Sequence, residues 1–211
     1  MSATPSLECD CEFAPNIFIK KRRIHQVFGP SRIRMLLFLA KKISGPIFWI
    51  KSPDEKIFLH PDGIYPWMNS SRITFVYTDS QYDKLWAIEN IIKDRSSDLI
   101  AANFNTTPAF NSIRRLNLGI KNYNTSASQP ICIFFTDSAT SITGVESRWF
   151  VKNEPSWHNS IGQNLNVNTE KWLFKREYCK RNPNSKWIVT LKKNLYEDTQ
   201  RKYTLQSIKL T

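Results

Sequence analysis

With 211 residues, 41% hydrophobic and 13% aromatic, the chain has enough apolar material for one domain with a sizeable core, which excludes a wholly disordered polypeptide. Its 30 Lys+Arg against 18 Asp+Glu give a formal charge of +12, a field that favours polyanionic partners such as nucleic acid or an acidic protein face. Only 6 Gly stand against 11 Pro, which argues against glycine-dependent nucleotide loops and propeller-type repeats.

Residues 1–22 read as a mobile leader, polar and acidic from Met1 to Cys11 and broken by Pro5 and Pro15. It ends in a cationic run, Lys20-Lys21-Arg22-Arg23. Ile24–Phe28 is a strand stopped by Gly29-Pro30, and Ser31 is placed to cap a helix that is apolar nearly all round and must pack on a sheet. Gly45-Pro46 ends that helix, and Ile47–Ile50 is a short buried strand. Residues 51–71 hold Pro53, Pro61, Gly63 and Pro66 and predict a connection with one helical turn. Ile73–Tyr77 is the next strand, followed by a helix through Lys93 capped by Asp79 or Ser80. Asp98–Asn103 is a strand, Pro108 introduces a helix through Ile120 with Arg114 and Arg115 on its wet side, and Ile131–Phe135 is the fifth strand.

Short strands alternating with longer helices predict crossover units and a mainly parallel α/β sheet with flanking helices. Beyond Thr136 the pattern changes. Ser147–Val151 reads as a further strand, Asn153–Asn168 as a polar stretch, and Lys171–Tyr178 and Lys186–Lys192 as a C-terminal antiparallel hairpin around Pro183. The organisation is therefore a leader over 1–22, a domain over 23–192 (core 23–137, extension 144–192) and a basic tail over 193–211. Residues 171–211 carry 11 Lys+Arg and 3 Asp+Glu, so most of the positive charge is C-terminal.

The four cysteines are scattered, and the C-x-C of Cys9 and Cys11 lacks the second ligand pair of a zinc site, so no metal is expected. Met1–Cys11 has no secretory signal character, and the longest apolar run, Met35–Ala40, is too short to span a bilayer. The expectation is a cytoplasmic protein without a membrane partner.

In a sheet of this kind, ligands bind beyond the carboxyl ends of the strands, here near Gly29, Pro30, Ser31, Arg32 and Arg34. A phosphate loop needs G-x-x-x-x-G-K-[ST]. Counted from Gly29, the last three positions hold Arg34-Met35-Leu36, with neither lysine nor hydroxyl. The acidic residue expected at a later strand end is Asn103. The loop is vestigial, with Arg32 and Arg34 as ordinary solvent-facing residues, and no cofactor is expected. His25, His60 and His158 lack metal-ligand spacing and there is no G-x-S-x-G elbow, so the chain is not expected to be an enzyme.

The stretch His25–Pro30, the apolar helix after it and Gly45–Ile50 resemble the start of a recombinase-A-type (RecA-like) core. With Ile57–Trp67, Arg72–Val76, Lys84–Glu89, Ser112–Leu118 and Gly144–Trp149 in order, and with Lys171-Trp172 and Lys186-Trp187 flanking Pro183, the series over about residues 24–191 is similar to the ImuA family. These are bacterial damage-inducible mutagenesis proteins, and the likeness is greatest to the α-proteobacterial branch. The resemblance implies a non-catalytic scaffold in SOS mutagenesis and translesion synthesis. Its implied partners are an inactive Y-family polymerase homologue (ImuB-type), an error-prone replicative-type polymerase and recombinase A. Loss of the nucleotide-binding lysine and the acidic strand end sets the chain apart from an ATP-driven recombinase.

The residues expected to meet a partner or single-stranded DNA are Arg148, Trp149, Trp172, Lys175, Arg176, Lys180, Arg181, Lys186 and Trp187. Cations interleaved with aromatics on strands suit base stacking and equally suit a protein interface. The same alternation also fits Trp172, Phe174 and Trp187 forming the inner face of the hairpin, with only the cations exposed. A SulA-type cell-division inhibitor, a basic nucleic-acid-binding module and an NTPase with an unorthodox loop are the alternative functions.

Overall fold

A computed structural model describes residues 10–55, 59–122, 129–137, 140–155, 169–193 and 203–210. Where composition predicts a mobile leader, Asp10–Ala14 (β1) and Ile17–Lys20 (β2) form an antiparallel hairpin. Asn16, at φ 59°, supplies the left-handed residue its tight turn needs. Alternation explains the correction: Cys11, Phe13, Ile17 and Ile19 point inward and are buried, while Glu12 and Phe18 point out. The acidic and proline-bearing composition hides a two-strand amphipathic unit. Residues 1–9, including Cys9, lie outside the described residues.

The elements that follow match the expected order. They are β3 (Arg23–Phe28), α1 (Ile33–Lys42), β4 (Ile47–Lys51), the single turn α2 (Pro61–Ile64), β5 (Ile73–Tyr77) and α3 (Gln81–Asp94). Next come β6 (Leu99–Phe104), α4 (Phe110–Lys121), β7 (Ile131–Thr136) and β8 (Ser147–Glu154). β9 (Thr169–Cys179) and β10 (Ser185–Lys193) make the expected hairpin, to which β11 (Tyr203–Leu210) adds a third antiparallel strand. Thus 203–210 is not a basic tail but a strand, with Leu191 opposite Leu205 and Leu205 packed on the core. The polar Asn153–Asn168 stretch begins inside β8, and residues 156–168 are outside the described set.

The large sheet has the order β11-β10-β9-β8-β3-β7-β6-β4-β5. The six strands from β8 to β5 are parallel, and β9 to β11 run antiparallel beside them. Counting only the parallel strands gives 3-2-4-5-1-6 from the β5 edge. This is neither the dinucleotide-binding order 3-2-1-4-5-6 nor the flavodoxin order 2-1-3-4-5. β5 and β11 are the two edges, unpaired on their outer sides among the described residues.

One face of the sheet is covered by α1 and the β1–β2 hairpin, the other by α3 and α4. α1 buries an unbroken run from Met35 to Ala40 because it lies between sheet and hairpin. Ser80 caps α3 as expected, accepting from the Asp83 amide at 3.1 Å. Ser31 does not cap α1. The cap position falls on Arg32 without a side-chain bond, and the Ser31 amide donates instead to the Val151 carbonyl at 3.0 Å. At the other end of α1, Arg72 takes over the unsatisfied carbonyls, donating to Ala40 O at 3.0 Å and Gly45 O at 2.9 Å. No helix among the described residues is long and apolar enough to cross a membrane.

Phe13 meets Trp149 and Phe174 at 5.7 Å between ring centroids. Phe13→Ala is expected to lower stability by about 3–5 kcal/mol in urea unfolding; an unchanged midpoint would mean that the hairpin contributes nothing to the core.

Candidate functional site

At the carboxyl ends of the parallel strands, the β3–α1 turn has no amide nest to offer a phosphate. Pro30 lacks an N–H, and the amide of Ser31 goes to Val151 O. The amides of Arg32, Arg34 and Met35 bond Gly29, Ser31 and Arg32 carbonyls. Gly29 is held at φ +101°, and a Cβ there would fall 2.5 Å from Val151 O and 2.9 Å from the Phe150 ring. β8 therefore presses on the turn from one side.

The cleft beside this turn, about 280 Å³, is acidic on balance, with Arg32 facing Asp54, Glu55 and Asp137. The Arg32 guanidinium pairs with Asp137, so Arg32 is not the solvent-facing residue the sequence suggests. Arg34 pairs with Glu170 at 3.5 Å and lies over the Trp172 ring at 4.9 Å, likewise tied to the fold. Lys84, buried on α3, approaches Glu55 at 3.4 Å and donates to the Asn103 carbonyl at 2.5 Å. Asn103 stands where an acidic residue is expected, and its side-chain oxygen accepts the Trp49 indole N–H at 2.7 Å. Its amide is a structural partner.

The residues expected on a binding hairpin divide between the two faces of β8–β10. Trp149, Trp172 and Trp187 are buried, together with Phe174, against α1 and β1–β2. They are core and not stacking platforms for bases. Arg176 shares that face at 8% exposure, its guanidinium 5.5 Å from the Trp149 ring and 5.1 Å from the Trp187 ring, bonding the Pro183 carbonyl at 2.9 Å. Burial lowers its pKa from the ordinary arginine value. The parity of the strands sends Arg148, Lys175 and Lys186 to the opposite face, while Lys180 and Arg181 sit exposed at the β9–β10 turn.

Among the described residues that opposite face is uncovered. The cluster beneath α3 and α4 includes no side chain from β8 to β11, so among the described residues no helix shields this part of the sheet. Phe28, Phe150, Leu173, Ile188 and Leu210 floor a groove of about 610 Å³, edged by Lys175, Lys186, Glu154 and Glu177. Lys175 and Glu177 pair at 2.8 Å and Arg148 stands 3.7 Å from Glu177, so the charges hold each other around an apolar strip. Sequence reasoning passed over Phe150, Leu173 and Ile188. The available signal was that Phe150, Leu173 and Ile188 interrupt the charged side of these alternating strands, an apolar strip on a face otherwise polar.

At the amino end of β3 a buried hydrogen-bond chain links β2, β3 and β8. The Trp149 indole N–H donates to Ser147 Oγ at 2.7 Å, and Ser147 Oγ lies 2.7 Å from His25 Nδ1. His25 Nε2 lies 2.8 Å from the Lys20 carbonyl, an acceptor only, so Nε2 carries the proton and Nδ1 accepts from the serine hydroxyl. Burial, reinforced by Arg23, Lys180 and Lys20, lowers the His25 pKa to about 4.

No protein-family model matches this chain, and no curated protein matches it.

Because His25 is neutral when folded and has an ordinary pKa of 6.5 when unfolded, the unfolded chain binds the extra proton between pH 6.5 and about 4. Stability is expected to fall as pH drops through that window, by about 3 kcal/mol from this group. Urea midpoints measured across pH 4–7 for the parent and for His25→Gln check this; a variant as pH-sensitive as the parent would exclude His25 as the source.

Proposed function

We propose that the chain is a non-catalytic adaptor on a RecA-like core, a damage-response accessory protein of the ImuA type acting in SOS mutagenesis and translesion synthesis. The observation that carries this reading is the face of β8–β10 left uncovered among the described residues, an apolar groove of about 610 Å³ rimmed by Lys175, Lys186, Glu154 and Glu177. An exposed apolar strip edged by charge suits a protein partner, since its floor gains by leaving water and its rim sets register. The mixed rim of two lysines and two glutamates favours a partner segment whose apolar residues are flanked by charges of both signs.

Support for the adaptor role also comes from the other end of the sheet. The turn where a recombinase holds nucleotide spends its amides on Val151, Gly29, Ser31 and Arg32, and the cations beside it, Arg32 and Lys84, are each paired with a carboxylate while Asp54 adds a further negative charge. The mainly parallel sheet with an antiparallel C-terminal extension agrees with the architecture that the RecA resemblance implies. The groove's partner in this reading is the ImuB-type polymerase homologue, which brings with it the error-prone replicative-type polymerase; recombinase A and single-stranded DNA complete the assembly at a stalled fork.

A tagged chain recovered from cells after DNA damage is expected to bring down a Y-family polymerase homologue. Leu173→Glu with Ile188→Glu, at two half-buried groove positions, is expected to reduce recovery roughly tenfold or more without unfolding the chain, as followed by circular dichroism. Recovery of the tubulin-like division protein in its place would overturn the translesion reading in favour of a division inhibitor.

A further inference from the structure

The cations that the groove does not use gather at the amino ends of the parallel strands, away from the vestigial phosphate turn. A cleft of about 570 Å³ opens there between the β1–β2 hairpin and the β9–β10 turn. Six cationic side chains line it: Lys20, Lys21, Arg22, Arg23, Arg176 and Arg181. A second cleft of about 410 Å³ shares Arg23, Glu146 and Arg181 with the first and adds Arg114, Lys121 and Lys180. Across both, nine Lys and Arg face two carboxylates, Asp10 and Glu146, and Glu146 is held by Arg23 at 3.4 Å.

Arg176 gives this surface an inner wall. The residue is more than nine-tenths buried, it lines the first cleft, and its hydrogen-bond acceptor is a backbone carbonyl. Among the described residues it makes no ion pair. A desolvated guanidinium without a counter-charge is costly, and an anion in the cleft would offset that cost. Lys20, Lys21 and Arg181 make no ion pair among the described residues either.

The shape of the charge selects the ligand. One phosphate would need only the first cleft, whereas the two joined clefts form a track along which several phosphates can lie. Phe18, Phe110 and Leu118 stand 37%, 51% and 54% exposed along it, offering flat or apolar surface to unpaired bases. We infer that this track binds the backbone of single-stranded nucleic acid, with Arg176 and Arg181 receiving phosphate in the first cleft and Arg114 and Lys121 in the second. The inference deepens the fork-proximal reading and rests on it for the choice of a strand over free nucleotide.

Anisotropy of labelled oligothymidylate over a salt series tests it. Lys21→Ala with Arg181→Ala, and separately Arg114→Ala with Lys121→Ala, are each expected to weaken binding about tenfold and to make the salt slope shallower by about 1.4, the value for two lost single-strand contacts. These four side chains are exposed or half-buried, so the variants avoid removing Arg176 from between its tryptophans. Lys93→Ala with Arg115→Ala removes the same charge off the track and is expected to keep parental affinity. Equal losses in all three variants would overturn the site and leave only attraction by the overall charge. Displacement of the oligonucleotide by ATP at equal phosphate concentration would overturn the strand in favour of a free nucleotide. Polymerase recovery from nuclease-treated extracts reads the adaptor role separately, so loss of one leaves the other intact.

Discussion

The contact between Gly29 and Val151 governs both ends of this molecule's behaviour. A residue with no Cβ, at φ +101°, lets the β3–α1 turn lie directly on β8, and the Ser31 amide closes the contact at 3.0 Å. In a phosphate loop that amide would point at an anion. Here it holds a strand. The same bond anchors β8 beside β3, and the pairing of β8 with β9 carries the register through the antiparallel strands. Closing the β3–α1 turn and fixing the extension are thus one structural event.

Once that register is set, parity assigns each side chain of the extension. Trp149, Trp172, Phe174 and Trp187 fall on the face that meets Phe13 and Phe38, with ring centroids 5.4–5.7 Å apart in most pairs. Arg176 enters the same layer because two indole faces and a carbonyl replace part of its hydration. The other face receives Phe150, Leu173 and Ile188 with no helix among the described residues to bury them. The hairpin β1–β2 does for one side of the extension what nothing among the described residues does for the other. An apolar surface carried on a paired sheet in this way is already ordered, so little ordering cost would oppose its burial.

The parallel strands were readable because β4, β6 and β7 are nearly continuous apolar runs, the mark of strands covered on both faces, and because Ser80 and Pro108 announce helices. β1 and β2 were not readable: Glu12, Pro15 and Lys20 outweigh four inward side chains in any composition window. β11 escaped because its apolar residues, Leu205, Ile208 and Leu210, do not fall on one face, and the last two are exposed. For the site, the interleaved cations and tryptophans were correctly located on strands, but which parity faces inward depends on the hairpin, an element more than a hundred residues away in sequence. Lys84 is the opposite case. Its position in α3 looks like a solvated helix face, and only the tertiary fold drives it to Glu55 and Asn103.

The nine-stranded sheet stops at two unlike margins. β11 at one margin carries Lys209, a residue that discourages strand addition, whereas Ile73–Tyr77 at the other has no charge and shows Phe75 and Tyr77 at 36% and 56% exposure. Because only the β5 margin is free of charge, two copies could add edge to edge through β5 alone, an isologous contact that closes into a pair instead of polymerising. The lysine acts as a stop on the opposite side, and that asymmetry would end such growth at two molecules.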